Sequence, residues 1–333
     1  MGFRVSVITP VFNAERYIAE SVRSASAIPE VEEILLVNDC GPDRSWEICQ
    51  QLKKDFPKVR LLEHSDGRNH GAGASRNLGI LNARCEYVSF LDADDWYLST
   101  RFEADREILL RDPRVDGVYN ALGNWYESES LRELWLAQGR PELMTLSAQV
   151  SPEELYLVLL HSHPLVKGEF STDTITVRRS FFSRCGYFHT KLRLQQDTHL
   201  WKRMSVAGRL AGGNLLTPVA IRRVHPDNRM TRLADHAQYM EIWYVSLFEE
   251  FRRLGAPEDA SVALLRGFFG FRAERKDRLK AFCLFCKWFA RDPESVLKPY
   301  GHFDQMLRQL LENGRMADRL LSMKNRLVRA LSR

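Results

Sequence analysis

The sequence predicts an α/β fold: a mostly parallel central sheet flanked by helices, with a C-terminal helical extension. Three observations carry that expectation. Over the first 120 residues, short apolar or β-branched runs alternate with stretches of helical period. The βαβαβαβ order calls for a parallel sheet covered on both faces. From about Met230 onward the period is helical throughout, with no repeat and no low-complexity tract.

The strand candidates of the first half are "RVSVIT" (Arg4 to Thr9), "EEILLV" (Glu32 to Val37), "VRLLE" (Val59 to Glu63), "YVSFL" (Tyr87 to Leu91) and "DGVYN" (Asp116 to Asn120). "AERYIAESVRSAS", "DRSWEICQQLKKDF", "GASRNLGILNA" and "RFEADREILLRD" are the helices between them. After a loose Trp- and Glu-rich stretch, "SPEE" (Ser151 to Glu154) supplies a capping box for a helix through "LYLVLLH". A strand "TITV", a helix "QQDTHLWKRMSVAG", a strand "PVAIRRV" and a loop "HPDNR" follow. The expected division is a catalytic domain over 1–228, with halves of about 1–120 and 121–228, and a helical region over 229–333.

Bulk properties narrow the function classes. The chain has 333 residues, 44% apolar and 27% charged, which is the composition of an ordinary soluble globular protein. No apolar run approaches the roughly 20 residues that cross a bilayer. Residues 1–10 lack the basic, apolar and small-residue series of a secretory signal, so a cytoplasmic location is expected. The six cysteines are scattered, and the close pair in "CLFC" has no second ligand pair, so reduced thiols are favoured over zinc. Basic charge is concentrated at the end: from Glu250 onward 18 Lys and Arg stand against 10 Asp and Glu, and before it 30 stand against 33. Acids interrupt those basic residues and no nucleic-acid motif accompanies them, so nucleic acid is not an expected partner.

In such sheets ligands bind at the carboxyl ends of the strands. There the chain carries "TPVFN", "NDCGPD" and "LDADDW". Three carboxylates within four residues repel one another unless something positive sits among them. Alternation along an extended chain turns Asp92 and Asp94 to one side and Ala93 and Asp95 to the other. Two convergent carboxylates suit Mg²⁺ or Mn²⁺; the alternative is an acidic turn in which Asp95 or Ser99 caps the next helix.

"VSVITPVFNAERYI", "EEILLVNDCGPDRSWEI", "GAGASRNLGI" and "YVSFLDADDW" occur in that order and together resemble the family 2 glycosyltransferases of GT-A (Rossmann-like) fold, over at least Phe3 to Glu107. The resemblance implies that Pro10, Phe12, Glu15 and Ala93 border the nucleotide, and that Asp39 accepts the uracil N3–H. Asn38 departs from the family's acidic pair. It further implies that Arg76 lies near the diphosphate, that Asp92 contacts the ribose, and that Asp94 holds a Mn²⁺ or Mg²⁺ ion acting as a Lewis acid.

"LRLQQDTHLW" resembles the family segment whose final aspartate is the catalytic base, which makes Asp197 that base in an inverting displacement. Gln196 stands where glutamate is common, and "GYFHTK" replaces the usual "GFD". "IRRVHPDNR" resembles an element that brings His225 to the metal, with Arg229 nearby. Asp173, Gln196, His199 and Arg229 are candidates for the sugar or acceptor pocket.

The closing stretch has an apolar stripe of Met316, Leu320, Met323, Leu327 and Leu331 flanked by arginines. It is expected either to rest on an anionic membrane surface, where lipid-linked acceptors reside, or to pack on the catalytic domain or a second subunit as a homodimer. The function implied is metal-dependent, inverting transfer from a nucleotide sugar, with UDP-sugar favoured, to a saccharide or glycolipid acceptor in surface polysaccharide assembly. A catalytically silent GT-A domain binding a glycan or protein is the alternative. A nucleotidyltransferase or an NAD-dependent dehydrogenase would need a glycine-rich loop where "TPVFNAERY" stands.

Overall fold

A computed structural model of the chain describes residues 2–228 and 236–261, with 263, 264, 267 and 268. The first half alternates as the sequence predicts: β1 (Val5–Val11), α1 (Ile18–Ser26), β2 (Val31–Asn38), α2 (Ser45–Asp55), β3 (Val59–Glu63), α3 (Ala72–Asn82) and β4 (Tyr87–Phe90). Then come β5 (Trp96–Tyr97), α4 (Glu103–Arg111), β6 (Gly117–Tyr119), β7 (Ala121–Tyr126), α5 (Glu129–Ala137), β8 (Leu143–Met144) and α6 (Leu155–Leu159). The last elements are β9 (Ile175–Arg178), α7 (Phe182–Cys185), α8 (Gln196–Ala207), β10 (Leu210–Gly212), β11 (Pro218–Val224) and α9 (His236–Leu254).

Seven strands form one sheet in the order β10-β6-β9-β4-β1-β2-β3. β1 pairs in parallel with β2 and β4, while β9 runs antiparallel between β4 and β6. The alternation of side chains along the central strands builds two cores. Val5, Val7 and Val11 with Ile34 and Leu36 face one apolar cluster, and Ile8 with Leu35 and Val37 face the other. A second, four-stranded sheet, β5-β11-β7-β8, was not expected from the sequence. Its strands β5 and β8 are two residues long, too short to show an apolar period.

α1 starts at Ile18 rather than Ala14, because Asn13 holds φ +52° and the Ala14 carbonyl accepts from Tyr17 and Ile18 N–H in a preceding turn. The helix after "SPEE" is only five residues, although the Ser151 hydroxyl does reach the Glu154 carboxylate at 2.7 Å. The chain divides into two compact units, Met1–Glu250 and Phe251–Arg333. Arg229, the Cys283 and Cys286 pair and the apolar stripe from Met316 to Leu331 lie outside the described residues. Cys40, Cys49, Cys85 and Cys185 are free thiols. Among the described residues no helix is long and apolar enough to cross a membrane.

One buried acid has a measurable role in stability. Glu33, on β2, accepts from the Ser6 hydroxyl at 2.7 Å and the Arg84 N–H at 2.6 Å, and pairs with Arg60. Burial alone would raise its proton affinity, but these donors outweigh it and hold the carboxyl below its ordinary range. A depressed carboxyl stabilises the fold above the unfolded value of about 4.3 and loses that stabilisation as pH falls through the folded value. Glu33→Gln is therefore expected to cost about 1–3 kcal/mol at pH 7 and progressively less below pH ~4. Urea unfolding across that range checks it; a deficit independent of pH refutes the linkage.

Candidate active site

Strand β4 stops at Phe90, and a turn closed by the Asp95 N–H on the Asp92 carbonyl, at 3.1 Å, follows it. The turn ends the strand alternation. Asp95, expected to face away, instead brings its carboxylate to Asp92 and Asp173, with one oxygen of each within 4.8 Å of the others. Asp173 joins them because β9 is antiparallel, so its N-terminal end lies beside the C-terminal end of β4. Its Oδ1 accepts the Asp92 N–H at 2.8 Å. Asp173, a candidate for the sugar or acceptor pocket, thus braces the acidic turn. Burial, reinforced by neighbouring carboxylates, pushes the protonation of both Asp95 and Asp173 upward. Beneath the turn, Arg101 donates from Nε to the Asp173 carbonyl at 2.9 Å and from Nη1 to Asp105 at 2.7 Å, an ion pair with no exposed side-chain surface.

Asp94 is half-buried on the same turn. Its Oδ2 lies 3.1 Å from His225 Nε2 and 3.4 Å from the Asn228 amide. The His225 ring stands against Tyr17 at 4.9 Å, and its Nδ1 is buried with no hydrogen-bond partner among the described residues. Two residues earlier is Arg223. Its N–H donates to Asp95 at 2.8 Å, its Nε to the Asp94 carbonyl at 3.1 Å and its Nη2 to Glu20 at 2.5 Å. Tyr17, Trp96 and Trp125 surround the guanidinium, 4.8–5.1 Å from their ring centres. Sequence reasoning passed over Arg223, although the period of two on β11 puts it on the same side as His225. Asp92, Asp95 and Asp173, with one oxygen each within 4.8 Å of the others, and Asp94 beside them are hard oxygen ligands of the kind that Mg²⁺ and Mn²⁺ take, and His225 meets Asp94 through Nε2.

Arg76 is buried on α3 and donates from Nη2 to Asp92 at 2.5 Å. Burial works against its charge, but Asp92, Asp197 and Asp173 together outweigh it and hold the guanidinium more firmly protonated. Its Nε–H is buried and has no hydrogen-bond partner among the described residues. Asp39, buried at the end of β2, accepts the His70 and Gly71 N–H on Oδ1, at 2.8 and 2.9 Å, and the Asn69 amide on Oδ2 at 3.0 Å. Pro10 is buried in β1, Phe12 is half-buried just after it, and Ala93 is buried between Asp92 and Asp94. Glu15 is exposed: its N–H donates to Asp43 at 2.9 Å and its carboxylate accepts the Arg44 N–H at 3.0 Å, which ties the loop after β1 to α2.

Asp197 occupies the first turn of α8, with Oδ1 accepting the Thr198 N–H at 2.8 Å. Gln195 before it holds φ +55°. Gln196 is buried against Gly73, where any Cβ would collide with its Oε1. His199 needs a correction. It is fully buried, with Nε2 3.0 Å from the Ser246 hydroxyl of α9 and the Trp243 ring 6.1 Å away, and burial drives its protonation well down. It is a core histidine of the α8–α9 contact and offers no surface to a sugar.

A family model described as glycosyl transferase family 2 matches residues 6–144. An uncharacterized glycosyltransferase, EpsJ, of Bacillus subtilis is 38% identical over 198 residues, 58% of this chain and 54% of the relative. The teichuronic acid biosynthesis glycosyltransferase TuaG of the same organism, named as putative, is 34% identical over 107 residues, covering 32% and 42%. The chain spans about half or less of the length of these relatives. Among solved structures, S. aureus TarS 1-349 in complex with UDP-GlcNAc superposes with a TM-score of 0.61 over 91% of this chain and 81% of that one, at 17% identity. The mannosyltransferase PcManGT from Pyrobaculum calidifontis, in complex with GDP-Man and Mn²⁺, gives 0.53 over 100% and 87%, at 18% identity. The four ordered motifs, the mixed sheet with its acidic turn at the end of β4 and the match over residues 6–144 agree: that part of the chain is similar to glycosyl transferase family 2.

Proposed function

We propose that the chain transfers a sugar from a nucleotide diphosphate donor, a UDP-sugar by preference, to a saccharide or lipid-linked acceptor, with inversion at the anomeric carbon. The observation that carries this reading is Arg76. One buried guanidinium holds Asp92, carries an Nε–H with no partner among the described residues and lies in the field of Asp197, so the proposed donor-side acid and the helix bearing the proposed base are linked through it. In this reading Arg76 binds the diphosphate and Asp92 the ribose. Oδ2 of Asp39, which has one described donor, takes the uracil N3–H. Asp94 with His225 would hold a Mn²⁺ or Mg²⁺ ion, which when bound supplies Lewis acidity to the departing diphosphate. Asp197 removes the proton from the acceptor hydroxyl as that oxygen attacks. A role in surface polysaccharide assembly is supported by relatives such as TuaG.

Calorimetry with UDP and Mn²⁺ tests the donor site directly. Binding is expected, and Asp94→Ala is expected to weaken the metal-dependent part by about 10- to 100-fold. Unchanged affinity in the variant removes Asp94 from the metal site; no UDP binding in the parent protein removes the uridine assignment.

A further inference from the structure

Two segments far apart in sequence are fastened face to face beside the proposed donor site. On one side is the loop 69–71 that leads into α3; on the other is the loop 188–195 that leads into α8. Arg193 donates from Nη1 to the Asn69 side-chain oxygen at 2.7 Å and from Nη2 to the Asn69 carbonyl at 3.3 Å. Asn69 in turn donates its amide to Asp39, to the carbonyl at 2.7 Å and to Oδ2 at 3.0 Å. The guanidinium and stem of Arg193 lie flat on Gly71, whose φ of +86° and missing Cβ allow that approach. Farther along α3, Asn77 and Phe188 exchange reciprocal hydrogen bonds of 2.9 Å through the Asn77 amide.

The consequence concerns α8. Its N-cap residue, Gln195, has left-handed backbone and no side-chain cap hydrogen bond, while its carbonyl accepts from the Thr198 hydroxyl and the Trp243 Nε1–H, both at 3.1 Å. The clamp on loop 188–195 is a further tie on the start of the helix, and Asp197 follows within two residues of Gln195. We propose that Arg193 is a positioning residue: through Asn69 it locks the first turn of α8, and with it Asp197, to the loop that Asp39 organises, so that occupation of the nucleotide site sets the place of the base. This rests on the glycosyl-transfer reading for the role of Asp197, but the mechanical link does not.

Hydrogen–deuterium exchange on the full chain separates the two. In Arg193→Ala, peptides covering 192–201 are expected to exchange about tenfold faster, while α3 peptides over 72–82 and the melting temperature stay within error of the parent. UDP with Mn²⁺ is expected to slow exchange in 192–201 of the parent protein and not of the variant. Arg193→Lys, which reaches one of the two Asn69 acceptors, should fall between. Equal exchange in parent and Arg193→Ala overturns the proposal whatever the activity. Where turnover is measured, kcat should fall about tenfold or more with donor KM within about twofold, as expected for a misplaced group. That loss should vanish in an Asp197→Asn background. An equal loss in both backgrounds overturns the link to Asp197, whereas absence of sugar transfer by the parent protein sinks the functional reading alone.

Discussion

Asp197→Asn is expected to lower kcat for sugar transfer by about 10²- to 10⁴-fold, the usual worth of a positioned general base, with UDP affinity within about twofold of the parent. The geometry makes the comparison clean. Asp197 Oδ1 accepts the Thr198 N–H at 2.8 Å, and an asparagine oxygen makes the same bond, so the first turn of α8 is preserved. What asparagine lacks is an oxygen able to take a proton from an attacking hydroxyl. A second effect acts in the same direction: the Asp197 charge is one of three that keep Arg76 protonated in its buried site, but Asp92 and Asp173 remain. Donor binding should therefore survive while transfer does not. Transfer of a radiolabelled sugar and UDP calorimetry on the same preparation decide it. Turnover within threefold of the parent would move the base elsewhere; a matched loss of UDP affinity would recast Asp197 as a donor-site residue.

How much of this was legible in the sequence differs between sheet and site. The central strands declared themselves because Val7 and Ile8, or Leu35 and Leu36, face opposite buried clusters and leave no polar side to blur the apolar run. The second sheet did not, since β5 and β8 hold two residues each and derive their pairing from β11 and β7. At the site, the motif order put Asp92, Asp94, Arg76 and His225 in one neighbourhood, and in the structure Arg76 pairs with Asp92 and His225 contacts Asp94. Asp95 was misplaced because alternation was carried past the end of β4 into a turn, and the antiparallel run of β9 that brings Asp173 to that turn has no local sequence signal. His199 could have been set aside without a structure. Residues two apart on a helix face different sides, so a base at Asp197 argues against a pocket role for His199.

The largest expected effect on stability is at Arg101. Arg101→Met should cost about 3–5 kcal/mol at neutral pH, because removing one partner of a buried pair strands the other. Asp105, also fully buried, accepts from Arg101 at 2.7 Å, Asn120 at 2.7 Å and Thr176 at 2.5 Å. Burial raises its proton affinity even with those donors present, and loss of the cation raises it further. A carboxyl whose folded value lies above its unfolded value stabilises the fold below the unfolded value and loses that contribution as pH rises through the folded one. The deficit of Arg101→Met should therefore be greatest at pH 7–8 and shrink toward pH ~5, and Asp105→Asn added to it should recover part of the stability at neutral pH. A deficit under about 1 kcal/mol, or one that ignores pH, contradicts the account. Arg101 also donates to the Asp173 carbonyl at 2.9 Å, to the Ser89 hydroxyl at 2.7 Å and to the Ile175 carbonyl at 3.0 Å, where β9 meets the acidic turn. Neither methionine at 101 nor asparagine at 105 restores those bonds. The double variant should regain melting temperature while UDP affinity in Mn²⁺ stays below the parent value, which separates the pair's contribution to the fold from its hold on the site.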